Sequence, residues 1–251
     1  MTPAPDAQRQ RCRLSRRLAV LLALLALVLG AAWLVRGRLD VRNAVRYVFR
    51  SRGTVADRLG QYGPAARTRW APYFERAGVT YPPKDVCLLA VKDRRVLQVY
   101  ADSGSGLRRV RELDVLGASG RLGPKQRRGD NQVPEGIYEV ESLNPNSHFH
   151  LALRVSYPNA FDQKMGQADK REDLGGDIMI HGGSASAGCL AMGDEAAEDL
   201  FVLAAETGIE HVRVIITPVD FRYQALPVFD RPAWSEALYS VIASELRALP
   251  D

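Results

Sequence analysis

Residues 175–192 read GGDIMIHGGSASAGCLAM and form the most distinctive stretch of the 251-residue chain. The apolar run at residues 177–181 predicts a strand that ends in His181. A loop of small residues follows, and Cys189 lies shortly before a predicted helix. Because small residues allow tight turns and let a ligand approach the backbone amides, the stretch predicts a strand–loop–helix unit built around a histidine and a cysteine.

Cys189 and His181 are the candidate catalytic residues of this unit. A thiol close to a helix start can be stabilised as a thiolate by unpaired amides and the helix dipole, and a nearby imidazole can take its proton. The amides of Gly188 and Cys189 could then form an oxyanion hole. A lone cysteine or histidine is more often a structural residue, so this spacing alone leaves catalysis open.

The surrounding sequence predicts short strands and few helices. Val86–Val91 and residues 96–100 flank a polar turn, which is a hairpin signal. One segment, Asp194–Thr207, has a clear helical stripe of apolar residues. Further strands are expected at residues 110–116, 137–143, 149–156, 177–181 and 212–217. The pattern predicts an α+β fold that is mainly β.

The N-terminus predicts a membrane helix. Residues 18–35 read LAVLLALLALVLGAAWLV, an uncharged run long enough to cross most of a bilayer. Residues 30–33 form a poor cleavage site, so an uncleaved signal anchor is expected. Five arginines precede the run and six follow it closely, so charge does not decide the orientation.

The basic charge of the chain is confined to its N-terminus. The net charge is +5, but residues 1–52 hold 11 basic and 2 acidic residues, and residues 53–251 hold 23 and 27. A nucleic-acid enzyme needs a positive field over its folded body, so this partner is excluded. Three cysteines without metal-ligand spacing also argue against a disulfide-stapled or zinc-ribbon fold.

Several short motifs occur together between residues 84 and 218. His181-Gly182 is followed by a short loop and by Ser-Ala-Gly-Cys at residues 186–189. Upstream, Gly-Pro-Lys at 123–125 precedes GDNQVPEGIY at 129–138, NPNSHFH at 144–150 and YPN at 157–159. This combination resembles the L,D-transpeptidase catalytic domain family, also called YkuD-type, whose signature is His-Gly, a variable loop and Ser-x-Gly-Cys.

The resemblance implies a YkuD-like β-rich domain that acts on peptidoglycan stem peptides. The Cys189 thiolate would attack an L,D-configured peptide bond, with His181 as general base and then acid. Gly188 would help to hold the oxyanion, and Ser186 and Gly182 would shape the loop or contact substrate. The resemblance implies no metal and no organic cofactor.

The implied substrate also decides the expected topology. Stem peptides lie outside the inner membrane, so the catalytic domain should face the periplasm of a bacterium, held by a single membrane pass. The expected organisation is a basic cytoplasmic tail (1–17), a signal anchor (18–35), a juxtamembrane helical linker (36–83), the catalytic domain (84–218) and a C-terminal extension (219–251).

Two departures from the family pattern leave the reaction open. Ala187 stands where the common Ser-His-Gly-Cys motif has a second histidine, and Ala191 stands where many members carry Arg or Asn. These features are similar to the short-loop branch that includes an amidase releasing a wall-linked lipoprotein from peptidoglycan. The alternatives are a transpeptidase, a hydrolase or amidase of the same family, and an inactive wall-binding protein.

Two further residues, His150 and Tyr157, could contact substrate or support the site by packing. His148 would share a strand face with His150 if the strand began that early. These histidines could then form a zinc site with His181 and Cys189, since imidazole and thiolate are zinc ligands. No acidic partner at metalloenzyme spacing accompanies them, so packing or support is favoured for His150.

Overall fold

The computed structural model describes residues 52–250. The helices are α1 (Val55–Ala77), α2 (Ala160–Ala168), α3 (Asp194–Thr207) and α4 (Ser235–Arg247), with a 3-10 turn at Ile209–His211. The strands are β1 (Val86–Val91), β2 (Val96–Asp102), β3 (Leu107–Asp114), β4 (Gly117–Ala118), β5 (Gly136–Ser147), β6 (His150–Val155), β7 (Met179–His181), β8 (Leu190–Ala191) and β9 (Val212–Thr217).

The strands of this part of the chain form one curved sheet in the order β3-β2-β1-β9-β5-β6-β7-β8-β4. The pairs β1–β9 and β7–β8 are parallel and the other neighbours are antiparallel. The prediction of a mainly β, α+β fold is confirmed. The hairpin closes between Val91 and Val96, and β9 and α3 have the predicted bounds.

Strand β1 is buried on both faces, which explains its unbroken apolar sequence. Leu88 belongs to a large core with Trp70 and Phe201, which α1 and α3 supply. Its neighbour Leu89 belongs to a second core with Tyr239 of α4. The sheet is therefore packed between helices at its centre.

Helix α1 is part of the fold, which corrects the expectation of a juxtamembrane linker for its described part. Thr54 caps the helix in a reciprocal capping box with Asp57. Trp70 is fully buried, and its indole Nε1 donates to the Asp199 carbonyl at 2.9 Å. The buried positions of α1 are sparse among charged residues, so the sequence did not predict that this segment packs into the core.

The C-terminal segment is likewise packed against the sheet. Helix α4 buries Leu238, Ile242 and Leu246 in the second core. Residues 219–250 therefore complete this core, where the sequence predicted an extension. No helix was predicted for α2, which has only nine residues, or for α4, although Leu238, Ile242 and Leu246 recur there at helical spacing.

The predicted signal anchor at residues 18–35 lies outside the described residues, as do the basic tail and the start of the predicted linker. Within residues 52–250, no helix is both long and apolar enough to cross a membrane. Membrane anchoring and orientation therefore stay predictions.

Candidate active site

The two predicted catalytic residues lie on one pair of neighbouring strands. His181 is the last residue of β7, and Cys189 immediately precedes β8. The parallel register places Ile180 opposite Leu190 and His181 opposite Ala191. Cys189 thus lies two residues before Ala191, which pairs with His181 in the sheet. Seven loop residues separate His181 from Cys189 along the chain.

The His181 imidazole is held in one tautomer. Its Nδ1 lies 2.6 Å from the carbonyl oxygen of Gly182. A carbonyl oxygen can only accept a hydrogen bond, so Nδ1 carries the proton and Nε2 of the neutral ring keeps its lone pair. The side chain is buried, and this burial lowers the pKa of His181. The imidazole is therefore neutral at neutral pH and able to accept a proton.

The Cys189 thiol is half-buried and neutral at rest. Its Sγ donates a hydrogen bond of 3.6 Å to the carbonyl of Asp177, just before β7. Burial raises the pKa of the Cys189 thiol above its usual range. The short strand β8 separates Cys189 from α3, which begins at Asp194. The prediction that this helix start activates the thiol is therefore wrong.

Ser186 braces the loop that carries the cysteine. Its hydroxyl donates to the Cys189 carbonyl at 2.7 Å and accepts from the backbone amide of Ser119 at 3.1 Å. The Gly188 amide in turn donates to Ser119 Oγ at 2.6 Å. Of the two amides predicted to hold an oxyanion, that of Gly188 therefore donates to Ser119 in the resting site.

Sequence reasoning did not single out Ser119. It follows β4 (Gly117–Ala118), which pairs with β8 and so lies beside the cysteine loop. Its run Gly-Ala-Ser-Gly at 117–120 has no clear periodicity. No local signal indicates the contact, because 69 residues separate Ser119 from Gly188.

Gly182 lies where a side chain would not fit. A Cβ at this position would be 2.6 Å from Asp194 Oδ1 and 2.7 Å from the carbonyl oxygen of Phe149. The next amide, of Gly183, donates to Asp194 Oδ1 at 2.8 Å. The predicted loop role of Gly182 thus has a steric basis: the loop after β7 packs directly on the first turn of α3.

His150 and Tyr157 support neighbouring segments. His150 Nε2 lies 2.9 Å from Glu198 Oε1 on α3. Tyr157 is buried, and its hydroxyl donates to the Leu174 carbonyl at 3.1 Å. His148 lies in the turn between β5 and β6, so it does not share a strand face with His150. Among residues 52–250, no group of three or more His, Cys, Asp or Glu is arranged to hold a metal ion.

An exposed ion pair lies beside the thiol. Arg154 of β6 is level with Met179 of β7, and its Nη1 lies 2.6 Å from Asp177 Oδ1. Its Nε also donates to Glu141 at 2.8 Å. Asp177 therefore contacts the Cys189 thiol through its backbone carbonyl and Arg154 through its carboxylate, which makes this edge of the candidate site charged and open to solvent.

The fold described above matches a known family of catalytic domains. Residues 85–216, more than half of the chain, match the YkuD family, the L,D-transpeptidase catalytic domain. The chain therefore belongs to the L,D-transpeptidase catalytic domain family, which confirms the resemblance predicted from its motifs. The family acts on peptidoglycan stem peptides.

A curated relative is the putative L,D-transpeptidase YafK of Escherichia coli. It is 36% identical over 112 residues, which cover 44% of this chain and 43% of YafK. The chain thus matches less than half of the length of this relative.

Solved structures give weaker likenesses. The helical cell shape determining protein Pgp2 of Campylobacter jejuni aligns over 74% of this chain and 78% of its own, at 18% identity and a TM-score of 0.42. L,D-transpeptidase 1 of Mycobacterium tuberculosis aligns over 53% and 62%, at 16% identity and a TM-score of 0.31.

Proposed function

We propose that this protein is a cysteine acyltransferase that cleaves an L,D-configured peptide bond of a peptidoglycan stem peptide. Cys189 is the nucleophile, and His181 is the general base and then the general acid. The observation that carries the proposal is the His181 Nδ1–Gly182 hydrogen bond, because it leaves Nε2 as the proton acceptor beside the strand that follows Cys189. Membership of the family gives the substrate class.

In the first half-reaction, the thiol exchanges the Asp177 carbonyl for Nε2 of His181 and gives up its proton. The Sγ electron pair attacks the substrate carbonyl carbon, and the carbonyl electrons move to the oxygen. When this oxyanion collapses, the carbon–nitrogen bond breaks and the leaving amine takes the proton from His181. The product is a thioester between Cys189 and the substrate acyl group.

In the second half-reaction, an amine or a water molecule attacks the thioester. His181 takes a proton from the attacking group, the carbon–sulfur bond breaks, and the proton returns to the Cys189 sulfur. An amine gives a crosslink or attachment, whereas water gives hydrolysis. The same two side chains perform both reactions, so the acceptor alone separates transferase from hydrolase.

The resting charges favour proton transfer that is concerted with nucleophilic attack. Burial raises the pKa of Cys189 and lowers that of His181, and both effects oppose a thiolate–imidazolium pair. The imidazole must therefore take the thiol proton as attack proceeds. For Gly188 to stabilise the oxyanion, its amide must also leave Ser119 Oγ and turn to the substrate oxygen.

Hydrolysis, including amidase release of a wall-linked lipoprotein, is the second candidate. Ala187 in place of a second histidine and the short loop after His181 favour it. Ala187 is exposed beside Gly188, so the site has no imidazole at this position to assist an incoming amine. An inactive wall-binding protein is the candidate from another class.

The test is product analysis with the purified full chain in detergent. It is incubated with tetrapeptide muropeptides and, separately, with lipoprotein-linked muropeptides, beside Cys189→Ala. Cys189-dependent dimers with a covalent acyl adduct would establish transpeptidation. Trimming or loss of the lipoprotein remnant without dimers would establish hydrolysis. Absence of any adduct or Cys189-dependent product from both pools would refute the enzyme and favour wall binding.

We also propose that residues 18–35 anchor the chain in the inner membrane, with the catalytic domain in the periplasm. The apolar run supports the anchor, and the location of stem peptides supports the orientation. Protease added to spheroplasts should remove the domain while a cytoplasmic marker stays intact. A domain that resists until the membrane is lysed would overturn this orientation.

A further inference from the structure

The turn between β5 and β6 places an aromatic ring on the candidate base. The Phe149 ring stacks on the His181 imidazole, with centroids 4.7 Å apart and planes 28° apart. Phe149 is 47% exposed although it is a large apolar residue. The Phe149 ring is thus half in solvent, and it covers one face of the His181 imidazole.

One side of this turn is tied to the beginning of the described domain. The Asn146 side chain accepts from the Gly53 amide at 2.9 Å and donates to the Gly53 carbonyl at 2.8 Å. The Pro145 carbonyl accepts from Arg58 Nε of α1 at 2.9 Å. The segment at residues 144–150, called here the β5–β6 tip, is thus attached to the chain just before and within α1.

The other side of the β5–β6 tip is tied to α3. His150 has a φ of 73°, and its Nε2 lies 2.9 Å from Glu198. The Tyr62 ring of α1 meets the His150 ring edge-on at 5.1 Å. Ser147 Oγ accepts the Phe149 amide at 3.0 Å. Contacts on both sides therefore fix the backbone that carries Phe149.

We propose that Phe149 is a positioning residue, which holds the His181 imidazole in its productive plane and keeps water from one face of it. The β5–β6 tip, including His150 and Asn146, holds Phe149 in place. This inference rests on the proposed function in one respect, that His181 is the general base. The sequence motif NPNSHFH at residues 144–150 takes no part in the covalent steps, and this proposal gives it a role.

Two contacts together restrict the imidazole. The hydrogen bond to Gly182 fixes the direction of Nδ1, and the stacked ring fixes the plane of the imidazole. Removal of the Phe149 ring leaves the first contact and opens one face to water. Since burial is the main cause of the lowered pKa of His181, access of water should raise this pKa.

Phe149 carries no charge, so removal of its ring leaves the charged groups around His181 unchanged. The titratable groups on the elements packed around the imidazole are His148 on the β5–β6 tip, Cys189 before β8, His150 and Arg154 on β6, Asp177 before β7, and Asp194 and Glu198 on α3. A change in the titration of His181 after removal of the ring therefore reports the loss of its cover.

The first experiment is NMR titration of labelled His181 in full-length Cys189→Ala protein, which needs no turnover. Phe149→Ala should raise the His181 midpoint by about half a pKa unit, and Phe149→Tyr should restore it. Val241→Ala, which removes an exposed apolar side chain on α4, should leave it unchanged. An unchanged midpoint in Phe149→Ala, or an equal shift in Val241→Ala, would overturn the proposal.

The second experiment compares kinetics with Cys189 intact. Phe149→Ala should lower kcat about tenfold with little change in KM, and Phe149→Tyr should recover most of the rate. Asn146→Ala, which loosens the β5–β6 tip, should have a smaller effect in the same direction. A change in KM alone would assign Phe149 to substrate binding and refute positioning. If no variant or wild type turns over stem peptides, the titration still decides the role of Phe149.

Discussion

The Gly188 amide donates a hydrogen bond of 2.6 Å to the hydroxyl of Ser119, which also contacts the Ser186 hydroxyl at 3.1 Å. Ser186 in turn donates to the Cys189 carbonyl at 2.7 Å. Two serines from separate parts of the chain therefore hold the backbone on both sides of the candidate nucleophile. This arrangement leads to the first prediction.

Ser119→Ala should lower kcat/KM about tenfold, because the loop before Cys189 loses two hydrogen bonds, each worth about 1 kcal/mol, and this loss of order should outweigh the release of the Gly188 amide toward the oxyanion. The free energy of unfolding should fall by a similar, small amount. Steady-state kinetics and urea denaturation measure the two effects. Ser103→Ala, which removes an exposed loop hydroxyl on the β2–β3 turn, serves as the control. A tenfold faster variant would mean that Ser119 restrains the Gly188 amide from the oxyanion.

Cys189→Ser should abolish turnover while the fold persists, because the hydroxyl is far less acidic than the thiol that His181 must deprotonate. Intact-mass analysis should show no acyl adduct, and circular dichroism should match the wild type. Cys87→Ala is the matched control, since Cys87 is buried in the second core. A folded and active Cys189→Ser protein would contradict the thiol mechanism.

The acid limb of kcat/KM should have its midpoint below about 6.5, the ordinary value for histidine. Burial lowers the pKa of His181, so the neutral, proton-accepting form persists to lower pH than in a free imidazole. Rates measured from pH 5 to pH 8 on a dilute substrate report this free-enzyme value. A midpoint above 7 would indicate a thiolate–imidazolium pair instead.

Gly182→Ala should destabilise the domain by about 1–3 kcal/mol, because the added Cβ would overlap Asp194 and the Phe149 backbone. It should also reduce turnover, since the same loop carries the carbonyl that orients His181. Gly60→Ala is the control, and its expected effect on stability has the opposite sign. It lies in α1 with open space around it and should stabilise the helix by up to about 1 kcal/mol. Thermal unfolding measures both changes.

Asp162 should make stability depend on pH. Burial in α2 raises its pKa to about 6, above the unfolded value near 4. Its protonated form therefore stabilises the folded state at low pH, and this contribution is lost as pH rises through 6. The difference between the free energies of unfolding of the wild type and of Asp162→Asn (wild type minus variant) should fall by at most about 3 kcal/mol between pH 4 and pH 7. A difference that rises with pH would show the opposite sign.

Local sequence predicted the elements whose signals lie close together in the chain. The β1–β2 hairpin follows from two apolar runs around a polar turn, and α3 follows from its apolar stripe. The candidate pair His181 and Cys189 could be found because both lie within one short stretch with a family motif. The packing of helix α1 into the core was not predicted, because its partner surface is distant in sequence.

The sequence by itself thus determined the mainly β class, the family and the two candidate catalytic side chains, since periodicity and short motifs are local. Tertiary structure alone decided what surrounds them. Trp70 meets Asp199 across 129 residues, His150 meets Glu198 across 48, and Phe149 covers His181 because β6 pairs with β7. Such contacts depend on the order of strands in the sheet and on the packing of helices over it, which no local pattern encodes.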